Sequence, residues 1–195
     1  MKRPLIAACL AILPAVAQAN WQATERIDAY AVSGTTGIDL YRSIGERGPK
    51  IGIGRAIAHT NFELLWSRDY RPQSDGSCVL ATARPSLVIT YTLPKPSGPL
   101  SPALQRNWET FIEGIRVHER VHGRDIIEMV EAIEAYSVGL RAEADPGCQK
   151  VRQKLQTRLG ELSQAQRQKS RDFDRVEMSD GGNIHQLILS LVNGE

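Results

Sequence analysis

An apolar stripe at helical spacing, broken once by polar groups, constrains this chain more than any other feature of its sequence. Pro94-Lys95-Pro96-Ser97-Gly98-Pro99 reads as a linker that can be neither helix nor central strand. Ser101-Pro102 then reads as an N-cap followed by proline at the first helical position. Beyond it Leu104, Trp108, Phe111, Ile112, Ile115, Ile126, Met129, Val130, Ile133, Tyr136 and Leu140 recur at steps of three and four, which predicts one helix from Pro102 to about Arg141 with a single buried face. Between Ile115 and Ile126 that face must pass through His118, Glu119 and His122. Burying these groups without partners costs on the order of several kcal/mol, so the fold must satisfy them.

Those residues belong to His118-Glu119-Arg120-Val121-His122, an H-E-x-x-H motif that uses two of the four histidines of the chain. Histidines at i and i+4 share one helix face, so both imidazoles can reach one metal ion. Glu119 is then set to act as general base on the water that a zinc ion activates, the arrangement of zinc metallopeptidases. A catalytic zinc takes three protein ligands, so a third must come from elsewhere.

Ala144-Asp145-Pro146-Gly147-Cys148 reads as a turn, after which Val151, Leu155, Leu159 and Leu162 mark a second helix that runs to about Val176. So short a connection predicts antiparallel neighbours, an αα-hairpin carrying the motif. Counting back from the turn, the histidines face roughly residues 166–172, with Asp172 and Asp174 near that level and Glu177 and Asp180 just beyond. Glu128 follows His118 at the spacing some zinc proteases use for a third ligand. Asp125 stands where their glycine turn would be, so the helix continues and Glu128 points away. Asp125 shares the histidine face and fits better as an outer partner to an imidazole.

Ahead of the linker the pattern is strand-like. Residues 27–34 suggest a first strand, Thr35 to Ile44 a short helix stopped by Gly45 to Pro49, and Ile51-Gly52-Ile53-Gly54 a connector that lacks the lysine and following helix of a phosphate loop. From Ala56 to Tyr70, residues Ala58, Thr60, Phe62, Leu64 and Trp66 alternate with His59, Asn61, Glu63 and Ser67. Cys78 to Leu93 forms a second run, with Pro85 marking a break, a bulge or an edge. His59 reads as a sheet-face residue. The turn-rich Arg71 to Ser77 between the runs predicts a hairpin, joined by the first strand into a small antiparallel sheet. Residues 184–192 read as a short apolar helix or strand. The expected class is α+β: a single domain over residues 20–195, with a β-rich part (20–95) and a helical part (100–195).

Met1 to Arg3, the apolar run Leu5–Val16 and Ala17-Gln18-Ala19 describe a signal peptide, residues 1–19, cleaved before Asn20. The run is too short to span a bilayer, and a lipoprotein reading through Cys9 leaves almost no apolar stretch before the cysteine. The expected location is therefore periplasmic or secreted, with no stable membrane insertion after cleavage. Without Lys2 and Arg3 the 24 basic side chains fall to 22, equal to the 22 acidic ones, which gives no footprint for nucleic acid. Cys78 and Cys148 remain, an even pair that an exported protein joins as a disulfide.

Taken together, several features resemble a family of secreted bacterial zinc-dependent proteases catalogued as domain of unknown function 922. They are Tyr30-x-Val32-x-Gly34 with Leu40 after it, Cys78 ahead of the strand ending Thr92-Leu93-Pro94, Trp108 ahead of the H-E-x-x-H, and Cys148 after the turn. Phe173-Asp174 resembles the family's Tyr-Asp. The family's late histidine has no counterpart, since Ser179 or Asp180 stands before Gly181. The similarity covers most of residues 27–182, and only the H-E-x-x-H is a specific motif. The resemblance makes Asp174 the first choice for the third ligand or an orienting carboxylate, with Asp180, Glu177, Asp172 and Asp125 as alternatives. It implies a zinc-dependent hydrolase acting on a peptide or protein substrate. The competing readings are a non-catalytic periplasmic metal-binding or adaptor protein, and a disulfide-stapled scaffold whose histidines are hydrogen-bonded in the core.

Overall fold

Ser101 caps the long helix through its side chain, which accepts from the Leu104 N–H, and the helix runs over Pro102–Ser137. This description comes from a computed structural model that covers residues 21–194. The expected signal peptide and Cys9 lie outside the described residues. In chain order the elements are β1 (Thr24–Val32), α1 (Gly37–Arg47), β2 (Lys50–Ile51), β3 (Gly54–Arg55), β4 (His59–Pro72), β5 (Cys78–Pro96), α2 (Pro102–Ser137), β6 (Arg141–Ala142), α3 (Gln149–Met178) and α4 (Asn183–Asn193). The class is α+β.

The main sheet has the order β1-β5-β4, with β6 added beside the start of β5. It is mixed rather than antiparallel. β4 and β5 form the antiparallel hairpin, but β1 lies parallel to β5, with Thr24 opposite Val88 and Val32 opposite Pro96. A parallel pair needs a crossover, and α1 with β4 supplies it. The side chains of β1 carry no signal of direction, so strand alternation had nothing from which to read it.

The strand also runs further than the prolines suggest. β5 continues to Pro96 because β4 ends its pairing at Thr92, so Pro94 and Pro96 are flanked by β1 alone. Pro85 is likewise flanked by β4 alone, since β1 begins its pairing at Val88. Each proline therefore sits where one side of the strand needs no donor. A register shift falls at Asp69/Tyr70 of β4. Ile51 ends the first strand of a two-stranded ribbon, β2–β3, and Ile53 lies in the turn between them.

α2 lies on the sheet and buries Leu104, Trp108, Phe111, Ile112, Ile115, Ile126, Met129, Val130 and Ile133 in one core with Leu87, Ile89, Tyr91 and Leu93 of β5. The helix comes very close to the sheet at Gly123, where a Cβ would stand 2.2 Å from the Tyr91 hydroxyl oxygen. It ends earlier than its apolar pattern. Gly139 adopts φ +82°, a conformation that suits glycine, and Arg141–Ala142 turn into the sheet as β6 opposite Cys78 and Val79. Tyr136, in the last turn of the helix, is exposed beneath the Arg158 guanidinium rather than buried.

α3 returns along α2. Arg158 lies over Tyr136, Lys169 reaches Asp125, and Asp174 meets His118, an order that runs opposite to α2. The Cys78–Cys148 disulfide joins the start of β5 to the start of α3. α4 packs against α1 and α2 and buries Ile184 and Leu191. Among the described residues, no helix is long and apolar enough to cross a membrane.

Candidate metal centre

His118 lies on the α3-facing side of α2 and Glu119 on its sheet-facing side, and they are 4% and 5% exposed. The stripe therefore stays buried or nearly so through its polar interruption, and each of the three side chains meets a polar partner through at least one atom. His118 Nε2 stands 3.1 Å from Asp174 Oδ1 and 3.1 Å from His122 Nε2, and His122 Nε2 stands 2.9 Å from the same Asp174 oxygen. These three residues form the one cluster of metal-ligating side chains found among the described residues.

The triangle suits a metal ion better than a proton. Around a tetrahedral zinc with ligands at about 2.0–2.2 Å, donor atoms stand roughly 3.3 Å apart. Three acceptor atoms in mutual contact cannot all be joined by hydrogen bonds, because a proton on both imidazole Nε2 atoms sets the two N–H groups against each other. A cation at the centre satisfies all three lone pairs at once. Two imidazoles and a carboxylate also form a donor set that zinc accepts.

Electrostatics among these three side chains point the same way. Burial opposes protonation of His122, but the hydrogen bond and charge of Asp174, with Glu119 and Asp125 behind, leave its pKa raised. Burial would raise the Asp174 carboxyl, but hydrogen bonds and charge from His118 and His122 hold it far below the usual carboxylate range. Asp174 is thus an anion between two imidazoles, ready to serve as a ligand.

The remaining candidates lie outside the triangle. Asp125 is 4% exposed and is bound by Lys169 Nζ at 2.9 Å rather than by an imidazole. Glu128 faces Lys169 at 2.7 Å. Asp172 is engaged by Gln168 and Arg175. Asp180 forms no ion pair with the cluster, and Glu177 approaches only the far nitrogen of His118. His59 sits at the start of β4, opposite Thr92.

Glu119 turns toward the sheet. Its Oε2 accepts a hydrogen bond of 2.5 Å from Thr60 Oγ1 on β4, which also lies 3.2 Å from the Glu119 carbonyl oxygen. Thr60 is the cross-strand neighbour of Tyr91, so both meet α2 where Glu119 and Gly123 stack one turn apart. Burial, with Glu25 and Glu119 nearby, pushes the Tyr91 hydroxyl up to about 12. Thr60 had one signal in the sequence, as a polar residue on the face of β4 shared by Phe62, Leu64 and Trp66. Phe173 stacks on His118 with centroids 4.8 Å apart and meets His122 edge-on at 5.6 Å, so one aromatic ring fixes both imidazole planes.

Residues 27–182 match the family described as bacterial protein of unknown function, domain of unknown function 922, and the chain belongs to that family. No curated protein and no solved structure matches the chain.

Proposed function

We propose that the protein is an exported zinc-dependent peptidase. His118 Nε2, His122 Nε2 and Asp174 Oδ1 hold the metal, and Glu119 acts as general base. The observation that carries this reading is the triangle of donor atoms with edges of 3.1, 3.1 and 2.9 Å, formed from two elements far apart in sequence. Bound there, zinc supplies Lewis-acid activation of water and of the scissile carbonyl. Thr60 fixes one oxygen of Glu119, so the other takes the proton of the attacking water and returns it to the leaving amine. Phe173 keeps the imidazole planes aligned and shields them from solvent. The disulfide supports an oxidising compartment outside the cytoplasm. The substrate is a peptide or protein.

The test is elemental analysis of the purified mature protein, followed by assay on a mixed peptide library. The expected result is one zinc per chain, with cleavage that disappears in Glu119→Gln while the zinc stays. Absence of zinc overturns the site itself. Cleavage that survives Glu119→Gln overturns the mechanism. A second reading, a metal-binding periplasmic adaptor, draws on the tight engagement of Glu119 by Thr60; zinc uptake with no cleavage of any peptide would favour it.

A further inference from the structure

His118 Nδ1 is buried without a hydrogen-bond partner. Once Nε2 gives its lone pair to a metal, the ring proton has to reside on Nδ1, and a buried N–H without an acceptor is costly. One group stands ready to accept it. Glu177 Oε2 lies 3.7 Å from Nδ1, just beyond hydrogen-bond distance, with its side chain 18% exposed. Glu177 follows Asp174 by three residues on α3, so both carboxylates project from one face. One meets the metal side of His118 and the other its far side. Glu177 is itself held, because its Oε2 accepts from Asn183 Nδ2 at 3.0 Å. Asn183 opens α4, and the next residue, Ile184, is buried in the core. The turn between is tight, since a Cβ on Gly182 would stand 2.4 Å from the carbonyl oxygens of Val176 and Glu177.

Resting on the zinc-site reading, we propose that Glu177 is a positioning residue for the metal. It accepts the Nδ1–H of His118 when zinc binds, fixes the tautomer that presents Nε2, and is anchored by Asn183 so that α4 becomes part of the site. Its position on the Nδ1 side keeps it from serving as a ligand in the same geometry. Phe173, stacked on the ring, leaves His118 little freedom except to slide toward this carboxylate.

Zinc titration of the metal-stripped mature chain against a chromophoric chelator tests the idea. Loss of such an outer partner weakens metal affinity by about 10–100-fold, which is the result expected for Glu177→Ala with one zinc per chain retained. Glu177→Gln keeps an acceptor and should fall between wild type and Glu177→Ala, and Asn183→Ala should show a smaller loss than Glu177→Ala. Wild-type affinity in Glu177→Ala, or equal losses in the Ala and Gln variants, overturns the proposal and leaves the zinc site standing. Wild-type protein that takes up no zinc overturns both. Should Glu177→Ala not fold, nitrogen-15 NMR of zinc-loaded wild type decides. His118 with a protonated Nδ1 and a metal-bound Nε2 is expected, and an Nδ1-bound ring is fatal to the idea.

Discussion

Where α3 begins, Cys148 is bonded to Cys78, and Asp145 accepts from the backbone N–H groups of Gln149 at 2.7 Å and Val151 at 3.0 Å. Val151 and Leu155 there are buried with Leu80, Ala83 and Ala142 in a second small core. Where the same helix ends, no residue is fully buried, and Phe173, Asp174 and Glu177 meet α2 through imidazoles. One end is fastened by a covalent bond and apolar packing, which respond little to pH or ligand. The other is fastened by imidazole and carboxylate groups whose protonation, and whose metal occupancy if the proposed site holds zinc, decide how tightly it holds. A helix secured at one end keeps the carboxylates at its other end in register with the imidazoles of α2.

Several measurements press on this contrast. The largest effect belongs to the fastened end: Cys78→Ser or Cys148→Ser opens a link across 70 residues and should cost about 4 kcal/mol in urea unfolding in the chain-entropy picture. Zinc stoichiometry should survive at urea concentrations where the variant remains folded, and its loss there would mean that the two ends are not separable. At the conditional end, His122→Ala removes a proposed ligand and should weaken zinc binding at least about 100-fold, more than an outer partner would. Global stability without metal should change less than in the cysteine variants, and chelator competition with metal-free unfolding checks both.

Changing pH should divide the ends more finely. The raised His122 contributes stability that is complete below its unfolded pKa and is lost as pH rises through its folded value. The depressed Asp174 contributes stability present above the unfolded carboxylate value and lost as pH falls through its lower folded one. In metal-free protein the ion pair therefore helps most between about pH 4 and 6.5. Zinc must displace the His122 proton, so its affinity should fall by about tenfold per pH unit below the raised pKa. As pH rises from about 6.5 through the raised His122 value, falling protection of residues 170–178 from hydrogen exchange without metal and rising zinc affinity are the expected pattern. Matching trends would refute it. Smallest of all, Arg175→Ala removes an exposed pair with Asp172 at 2.8 Å and should change unfolding free energy by no more than about 0.5 kcal/mol. A larger change would show that surface charge holds this end, not the imidazole contacts.

Much of the helical half could be read directly. A stripe in steps of three and four specifies a helix wherever it packs, and an H-E-x-x-H within it places two imidazoles on one face by helix geometry alone. Pairing across 56 residues, from His118 to Asp174, came within reach because a short turn obliges two helices to run antiparallel. The level of contact remained uncertain by about a turn, which is why Asp172, Glu177 and Asp180 stood beside Asp174 as alternatives. Local periodicity does not encode the offset at which two helices dock.

What the chain determines by itself, then, is composition of faces: which residues turn inward together and which five-residue stretch sets two histidines and a glutamate on the buried side of a helix. Tertiary structure alone decided the direction of β1 beside β5, the early end of α2 at Gly139, the meeting of Thr60 with Glu119 across 59 residues, and the approach of Glu177 to the far nitrogen of His118. Each depends on how separate elements slide and cross before they lock. That outcome is set by the packing of whole surfaces, and no single segment carries it in its own pattern.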